Sequence, residues 1–312
     1  MSRKTIYVAL SQFCQDDGTA RKLLAEAGFD IRENTSGRRI RREEMFKALC
    51  EVDAVLAGVE PYDAELLAAL PRLRCISRCG VGTEAIDLEA AGRLNITVLT
   101  TVEEVVEPVA QMTVAMILAL ARNFPLHCGD FCSDIWLKHV GYLISEWTIG
   151  LVGFGRIGRA VEQYLRVFGA KVTITDPNVG PAELPHGVEM RDRESLLGEA
   201  DLISLHVNRR PKEGVLIGKK EFATMKAGSR LVNTARGYLV DEAALIEALQ
   251  SGHLSAAALD VFATEPYGGP LKMLPQVLST PHVASLTKAS RLAMELRCAS
   301  NVLEFFGQDG SR

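Results

Sequence analysis

A glycine-rich turn in the middle of the chain restricts its fold more than any other feature. The run Thr148-Ile149-Gly150-Leu151-Val152 has the apolar pattern of a buried strand and leads into Gly153-Phe154-Gly155-Arg156-Ile157-Gly158. A helical stretch over 159–168 follows and stops at Gly169; then come a second strand pattern, Lys171-Val172-Thr173-Ile174-Thr175, and Asp176. Each part has a mechanical purpose. Gly153 permits a tight turn, Gly155 lets backbone approach a pyrophosphate, and Gly158 lets helix and strand pack closely. The N-terminus of the helix offers unpaired N–H groups and the positive end of a dipole to phosphate oxygens. Gly153, Gly155, Arg156, Ile157 and Gly158 are therefore expected at a dinucleotide. Asp176 accepts hydrogen bonds from a ribose 2′-hydroxyl and repels a 2′-phosphate, which favours NAD over NADP.

The turn begins near residue 150 of 312, so something else precedes it. Strand and helix patterns alternate there: strands at 5–10, 53–57, 73–77 and 96–99, with helices at 19–27 and 63–70. Such alternation predicts βα units and a parallel sheet. The basic run Arg38-Arg39-Ile40-Arg41-Arg42, followed by Glu43-Glu44, reads as a solvated turn entering a helix. One long apolar helix is expected over 107–124, and a last helix over 288–306. With no repeat and no low-complexity linker, any domain boundary is a short crossover.

Three polar residues stand just past strand patterns. Arg236 follows Leu231-Val232-Asn233-Thr234-Ala235, Glu265 follows Leu259-Asp260-Val261-Phe262-Ala263-Thr264, and His282 follows Leu278-Ser279-Thr280-Pro281. Singly each has an ordinary structural reading: a surface charge, a Glu-Pro turn, a satisfied histidine. Together, at carboxyl ends of strands behind a nucleotide turn, they lie where an open parallel sheet holds its ligand. Hydride transfer to a 2-keto acid needs these types. An arginine grips a carboxylate bidentately and polarises a carbonyl. A histidine exchanges a proton near neutral pH. A carboxylate beside it orients the ring.

At these residues the chain resembles the D-isomer-specific 2-hydroxyacid dehydrogenases, and within them the phosphoglycerate-oxidising branch. The resemblance covers nearly the whole chain. It rests on Cys79-Gly80-Val81-Gly82-Thr83-Glu84-Ala85-Ile86-Asp87, the glycine turn, His206-Val207, Asn233 to Gly237, Leu259 to Phe262 with Glu265-Pro266, and Thr280-Pro281-His282. It implies an α/β architecture in which a Rossmann NAD-binding domain (101–286) is inserted into a flavodoxin-like α/β substrate domain (1–100 and 287–312). It further implies that Arg236 binds the substrate carboxylate, Glu265 supports His282, and His282 is the acid/base. Asp260 is expected at the nicotinamide end. His206, Thr234 and Ala235 are expected along the cofactor, and Arg78, Val81 and Gly82 at the substrate. A homodimer joined through the cofactor domain, with 107–124 and 136–147 in its interface, is the implied assembly. Hydride transfer between NAD and a D-2-hydroxy acid is the implied activity, with 3-phosphoglycerate ahead of glycerate/hydroxypyruvate or glyoxylate as substrate. Formate- or phosphite-type hydride donors are a remoter possibility, and a non-catalytic NAD-sensing scaffold is the alternative from another class.

Four features depart from the family pattern. Glu84-Ala85 replaces Asp-Asn in the glycine loop, Gln111 replaces a glutamate, and 208–211 reads Asn-Arg-Arg-Pro in place of a segment that begins with proline and carries a threonine. A second upstream arginine has no counterpart near Gly58. No regulatory C-terminal domain is expected after the last helix.

Composition narrows the partners. The net charge of −4 and an aromatic content of 6% argue against nucleic acid. The apolar stretch 109–121 contains Gln111 and falls short of the ~20 residues of a membrane span. No signal-peptide pattern opens the chain. Seven cysteines, an odd number, point to reduced thiols in a cytoplasm rather than a disulfide framework. No metal site is expected: Cys75 and Cys79 sit ~13 Å apart if extended.

Overall fold

The computed structural model describes residues 3–208 and 213–309. The chain forms two compact units, Met1–Val105 with Leu286–Arg312, and Val106–Ser285. Each has its own parallel sheet and its own core.

In the first unit the strands are β1 (Thr5–Val8), β2 (Asp30–Glu33), β3 (Ala54–Ala57), β4 (Cys75–Arg78) and β5 (Thr97–Thr100). They pair in the order β2-β1-β3-β4-β5 with every neighbour parallel. That is the flavodoxin-like order. Helices α1 (Thr19–Glu26), α2 (Arg42–Leu49), α3 (Ala64–Ala68) and α4 (Leu88–Arg93) connect them. The caps are legible locally: Asp63 accepts from Leu66 N–H at 2.8 Å and Asp87 from Ala90 N–H at 2.9 Å. β1 and β3 are buried throughout, whereas the edge strand β2 reads Asp-Ile-Arg-Glu and is half exposed. An edge strand needs no apolar run, which is why the hydrophobic pattern did not announce it. The run Arg38 to Arg42 enters α2 as a turn, with Arg38 paired to Glu44 at 2.6 Å and Glu44 accepting from Arg41 N–H at 2.9 Å.

The second unit opens with α5 (Val106–Ala121) and α6 (Phe124–Cys132). The helix expected over 107–124 is α5, which stops three residues earlier, and α6 follows it. Asn123 takes a left-handed conformation (φ 52°), Pro125 starts α6, and the chain turns. By length and composition the stretch Glu103–Ala121 could cross a membrane. Here Val109, Thr113, Met116, Ile117 and Leu120 are instead buried in the fold. The strands are β6 (Thr148–Val152), β7 (Lys171–Thr175), the short β8 (Glu189–Met190), β9 (Leu202–Leu205), β10 (Ser229–Asn233), β11 (Leu254–Leu259) and β12 (Val277–Ser279). Helices α7 (Arg156–Val167), α8 (Arg193–Glu199), α9 (Lys219–Thr224) and α10 (Glu242–Gln250) cross between them. The order β12-β11-β10-β9-β6-β7-β8 reverses direction between β6 and β9. That is the topological switch point of a Rossmann sheet. The chain returns to the first unit with α11 (Lys288–Asp309), which packs on α1 and β4. All seven cysteines are free thiols.

Candidate active site

The glycine turn leaves β6 at the switch point. A Cβ on Gly153 (φ 96°) would stand 2.5 Å from the His206 carbonyl oxygen, and one on Gly158 2.4 Å from the Gly153 carbonyl oxygen. Both glycines are required by the protein's own backbone. Gly155 differs: a Cβ there meets nothing within 4 Å. Its freedom serves no internal contact, which fits a ligand that must come close. The first turn of α7 begins right after it, with Arg156 exposed and the Ile157 side chain turned to the core. Asp176 ties the turn together: Oδ2 accepts from Phe154 N–H at 2.7 Å and Oδ1 from Asn178 N–H at 2.8 Å. Each oxygen keeps a further lone pair for a ribose hydroxyl. His206 follows β9, its N–H donating to the Val152 carbonyl at 2.7 Å and its Nε2 facing Ser204 Oγ at 2.9 Å. Burial pulls its pKa down to about 4, so the ring is neutral.

Arg236, Glu265 and His282 follow β10, β11 and β12, with Glu265 and His282 in contact and the Arg236 turn packed against the Phe262 turn. Asn233 shapes the first turn, accepting from Ala235 N–H at 3.0 Å and donating to the Arg236 carbonyl at 2.9 Å. Thr234 is anchored to Thr113 of α5, Oγ1 to Oγ1, at 2.7 Å. Gly237 lies so close to the next turn that a Cβ would sit 1.9 Å from the Phe262 carbonyl carbon. The Phe262 N–H donates to Glu265 Oε1 at 3.0 Å, and Glu265 Oε2 meets His282 Nδ1 at 2.8 Å. The line of contacts runs unbroken from the arginine turn to the imidazole. With Nδ1 held by a carboxylate, Nε2 is the nitrogen left to exchange a proton with a ligand. Asn233 and Thr113 were not singled out from sequence; an amide ending a strand beside Arg-Gly was the available signal for Asn233, and Thr113 had none.

The geometry gives Asp260, expected at the nicotinamide end, a role within the fold. It is fully buried. Its Oδ1 accepts from Thr280 Oγ1 at 2.6 Å and Val283 N–H at 2.9 Å, and its Oδ2 from Ala284 N–H at 2.9 Å. Its carbonyl accepts from His282 N–H at 2.8 Å. Asp260 thus holds the loop that presents His282, a left-handed residue with φ 54°.

Arg78, Val81 and Gly82 belong to the first unit, at and just past the end of β4. Arg78 folds over the loop, Nε donating to the Gly82 carbonyl at 3.0 Å, and a Cβ on Gly80 (φ 131°) would stand 2.6 Å from Arg78 Nη1. Burial lowers the Arg78 pKa, opposed by nearby groups that include Glu60 and Glu84. Of the positions that depart from the family pattern, Gln111 donates to Glu107 Oε1 at 2.8 Å, Glu84 is exposed, and Asn208 is followed by residues outside those described.

Comparison with known proteins follows the same lines. Residues 114–284 match the family profile of the D-isomer specific 2-hydroxyacid dehydrogenase, NAD binding domain. A glyoxylate reductase of Thermococcus litoralis is 37% identical over 276 residues, spanning 85% of this chain and 83% of the relative. The chain belongs to the D-isomer specific 2-hydroxyacid dehydrogenases. A D-3-phosphoglycerate dehydrogenase of Mycobacterium bovis is 40% identical over 251 residues, 79% of this chain. The chain spans about half the length of that relative (48%). Among solved structures, a D-lactate dehydrogenase from Aquifex aeolicus complexed with NAD and lactic acid superposes with a TM-score of 0.83 at 28% identity, covering 99% of this chain and 97% of that one.

Proposed function

We propose that this protein transfers a hydride between NAD and a small D-2-hydroxy acid, with Arg236, His282 and Glu265 as its working groups. The observation that carries the reading is the 2.8 Å Glu265–His282 pair joined through Phe262 to the Arg236 turn. The cofactor fits what the chain offers: open space at Gly155, the N-terminus of α7 behind it, and Asp176 at the end of β7. Bound NAD would supply or accept the hydride at C2 of the substrate. Arg236 grips the carboxylate and draws electron density from the adjacent carbonyl. His282 donates a proton from Nε2 to the carbonyl oxygen in reduction and removes it from the hydroxyl in oxidation. Glu265 holds the ring in place through Nδ1. The first unit would be the substrate domain, with Arg78, Val81 and Gly82 as its proposed substrate residues.

A second copy of the chain is the proposed partner. Phe131 (69% exposed) and Trp136 (82%), with Ile135 and Leu137, line an apolar pocket of about 500 Å³ beside α6. Contiguous apolar surface of this kind marks an interface. The expected share of α5 in it is small, because its apolar face is spent inside the unit. Free thiols throughout fit a reducing cytoplasm.

The test is NADH oxidation with a panel of 2-keto acids. Arg236→Ala and His282→Ala should each lose turnover by ~10²-fold or more while still binding NADH. Near-normal turnover in either variant overturns its role. NADH binding with no turnover of any panel member overturns the enzyme reading.

A further inference from the structure

We propose that Thr113 is a positioning residue for the cofactor: its hydroxyl takes the proton of the Thr234 hydroxyl, so that the end of β10 offers an acceptor to the nicotinamide half of NAD. This rests on the reading above that the dinucleotide lies on the second unit, and every residue involved belongs to that unit. In the order β12-β11-β10-β9-β6-β7-β8 the glycine turn leaves β6, and Asp176 follows β7. A dinucleotide with its adenosine ribose at Asp176 and its pyrophosphate at the glycine turn carries its other half across the switch point, to the side of β9 and β10. Thr234 is the first residue past β10.

Counting protons fixes the direction of two hydrogen bonds. Thr113 Oγ1 donates to the Val109 carbonyl at 2.8 Å and stands 2.7 Å from Thr234 Oγ1. A hydroxyl has a single proton, and a carbonyl only accepts. With its proton spent on Val109, Thr113 accepts and Thr234 donates. The relay runs one way, from Thr234 to Thr113 to the backbone of α5. Thr113 has no exposed surface, so bulk water does not compete for either bond. A threonine inside a helix commonly bonds back to the carbonyl four residues before it. Here that back bond orients the hydroxyl at the end of β10.

Most other polar groups of this turn are spent within the fold. The Asn233 side chain accepts from Ala235 N–H and donates to the Arg236 carbonyl. The Ala235 carbonyl accepts from Arg236 Nη1 at 2.7 Å, and the Asn233 carbonyl from Asp260 N–H at 3.0 Å. Thr234 Oγ1, its proton committed to Thr113, has lone pairs left to offer. The nicotinamide half of the cofactor brings donors, a carboxamide –NH2 and ribose hydroxyls, so acceptor meets donor. Without an acceptor at 113 the Thr234 proton is released toward those donors, and an unmade hydrogen bond at a nearly buried site is costly.

The experiment measures the binding of NADH, ADP-ribose and ADP by titration calorimetry in the wild type, Thr113→Val, Thr113→Ser and Thr234→Val. Thr113→Val keeps the shape and deletes the hydroxyl. It should weaken NADH by ~10-fold and leave ADP, which stops at the diphosphate, bound as in the wild type. Thr113→Ser rebuilds the relay and should bind NADH like the wild type. ADP-ribose has the second ribose but no nicotinamide, so it identifies the donor: weakened along with NADH for a ribose hydroxyl, unaffected for the carboxamide. Thr234→Val cuts the relay from its other end and should give the same pattern, which keeps the test open if Thr113→Val does not fold. NADH affinity unmoved in the folded valine variants, ADP weakened as much as NADH, or a serine that restores nothing overturns this inference; wild-type NADH binding then leaves the cofactor reading standing. A wild type that binds no NADH overturns both.

Discussion

Replacing Asp260 by Asn separates two ways in which a buried carboxylate can serve an active site. The change is isosteric, so no cavity forms. Whichever way the amide sits, its –NH2 replaces an oxygen that faces the backbone N–H of Val283 or Ala284. One charge-assisted hydrogen bond becomes a buried donor facing a donor, at a cost of about 2–3 kcal/mol. For a unit of this size each kcal/mol lowers Tm by about 2–4 °C, so a fall of roughly 5–10 °C is expected by calorimetry. The same loop presents His282, whose N–H still donates to the Asp260 carbonyl. The loop should stay folded but shift, and a misplacement near 1 Å costs about 10²-fold in kcat. KM for NADH should change little, because the glycine turn lies on other strands. Two results refute the reasoning. An unchanged Tm with a lost kcat means that Asp260 acts on the reactants directly. A lowered Tm with an unchanged kcat means that the loop does not set the position of His282.

Gly155→Ala and Gly158→Ala should divide cleanly: the first, with open space around the new Cβ, melts as the wild type but binds NADH weakly by titration, whereas the second, with its Cβ 2.4 Å from the Gly153 carbonyl, loses stability as well. Equal melting points for the two variants would contradict the assignment of Gly155 to a ligand. His206 has a pKa near 4 in the fold against 6.5 ordinarily, so as pH falls the unfolded chain takes up the proton first; the native state loses stability from about pH 6.5 down to about 4 and nothing above it. His206→Gln should flatten that part of a Tm-against-pH curve, and an unaltered curve would rule His206 out as its source. Trp136→Glu should convert a dimer to a monomer by sedimentation velocity without loss of helix content, and a monomeric wild type at micromolar concentration would remove the proposed interface.

Much of the site was legible in the chain because its elements are local. A strand, three glycines, a helix start and an acid need only neighbours in sequence to announce themselves, so Gly153, Gly155, Gly158 and Asp176 stand where the spacing put them. Arg236, Glu265 and His282 could each be placed after a strand, since a parallel sheet collects strand ends at one edge whatever their distance in sequence. The misses are of other kinds. β2 was invisible because an edge strand with one polar neighbourhood needs no alternation. The end of α5 at Ala121 did have local signals, Arg122-Asn123 and Pro125, which the long apolar run before them outweighed.

Other features depend on side-chain direction, which no spacing encodes. Asp260 sits at a strand end like its neighbours, and its carboxylate is held by three donors of the 280–284 loop. Glu60 is charged and near Gly58 in sequence, but only the pairing of β3 with β4 brings it beside Arg78. Sequence by itself determined the class of chemistry, because the groups that carry it occur in a fixed order behind a fixed turn. The tertiary structure decided which carboxylates hold a loop and which meet a histidine ring, because burial and a hydrogen-bond partner distant in sequence, not residue type, set what a charged side chain does.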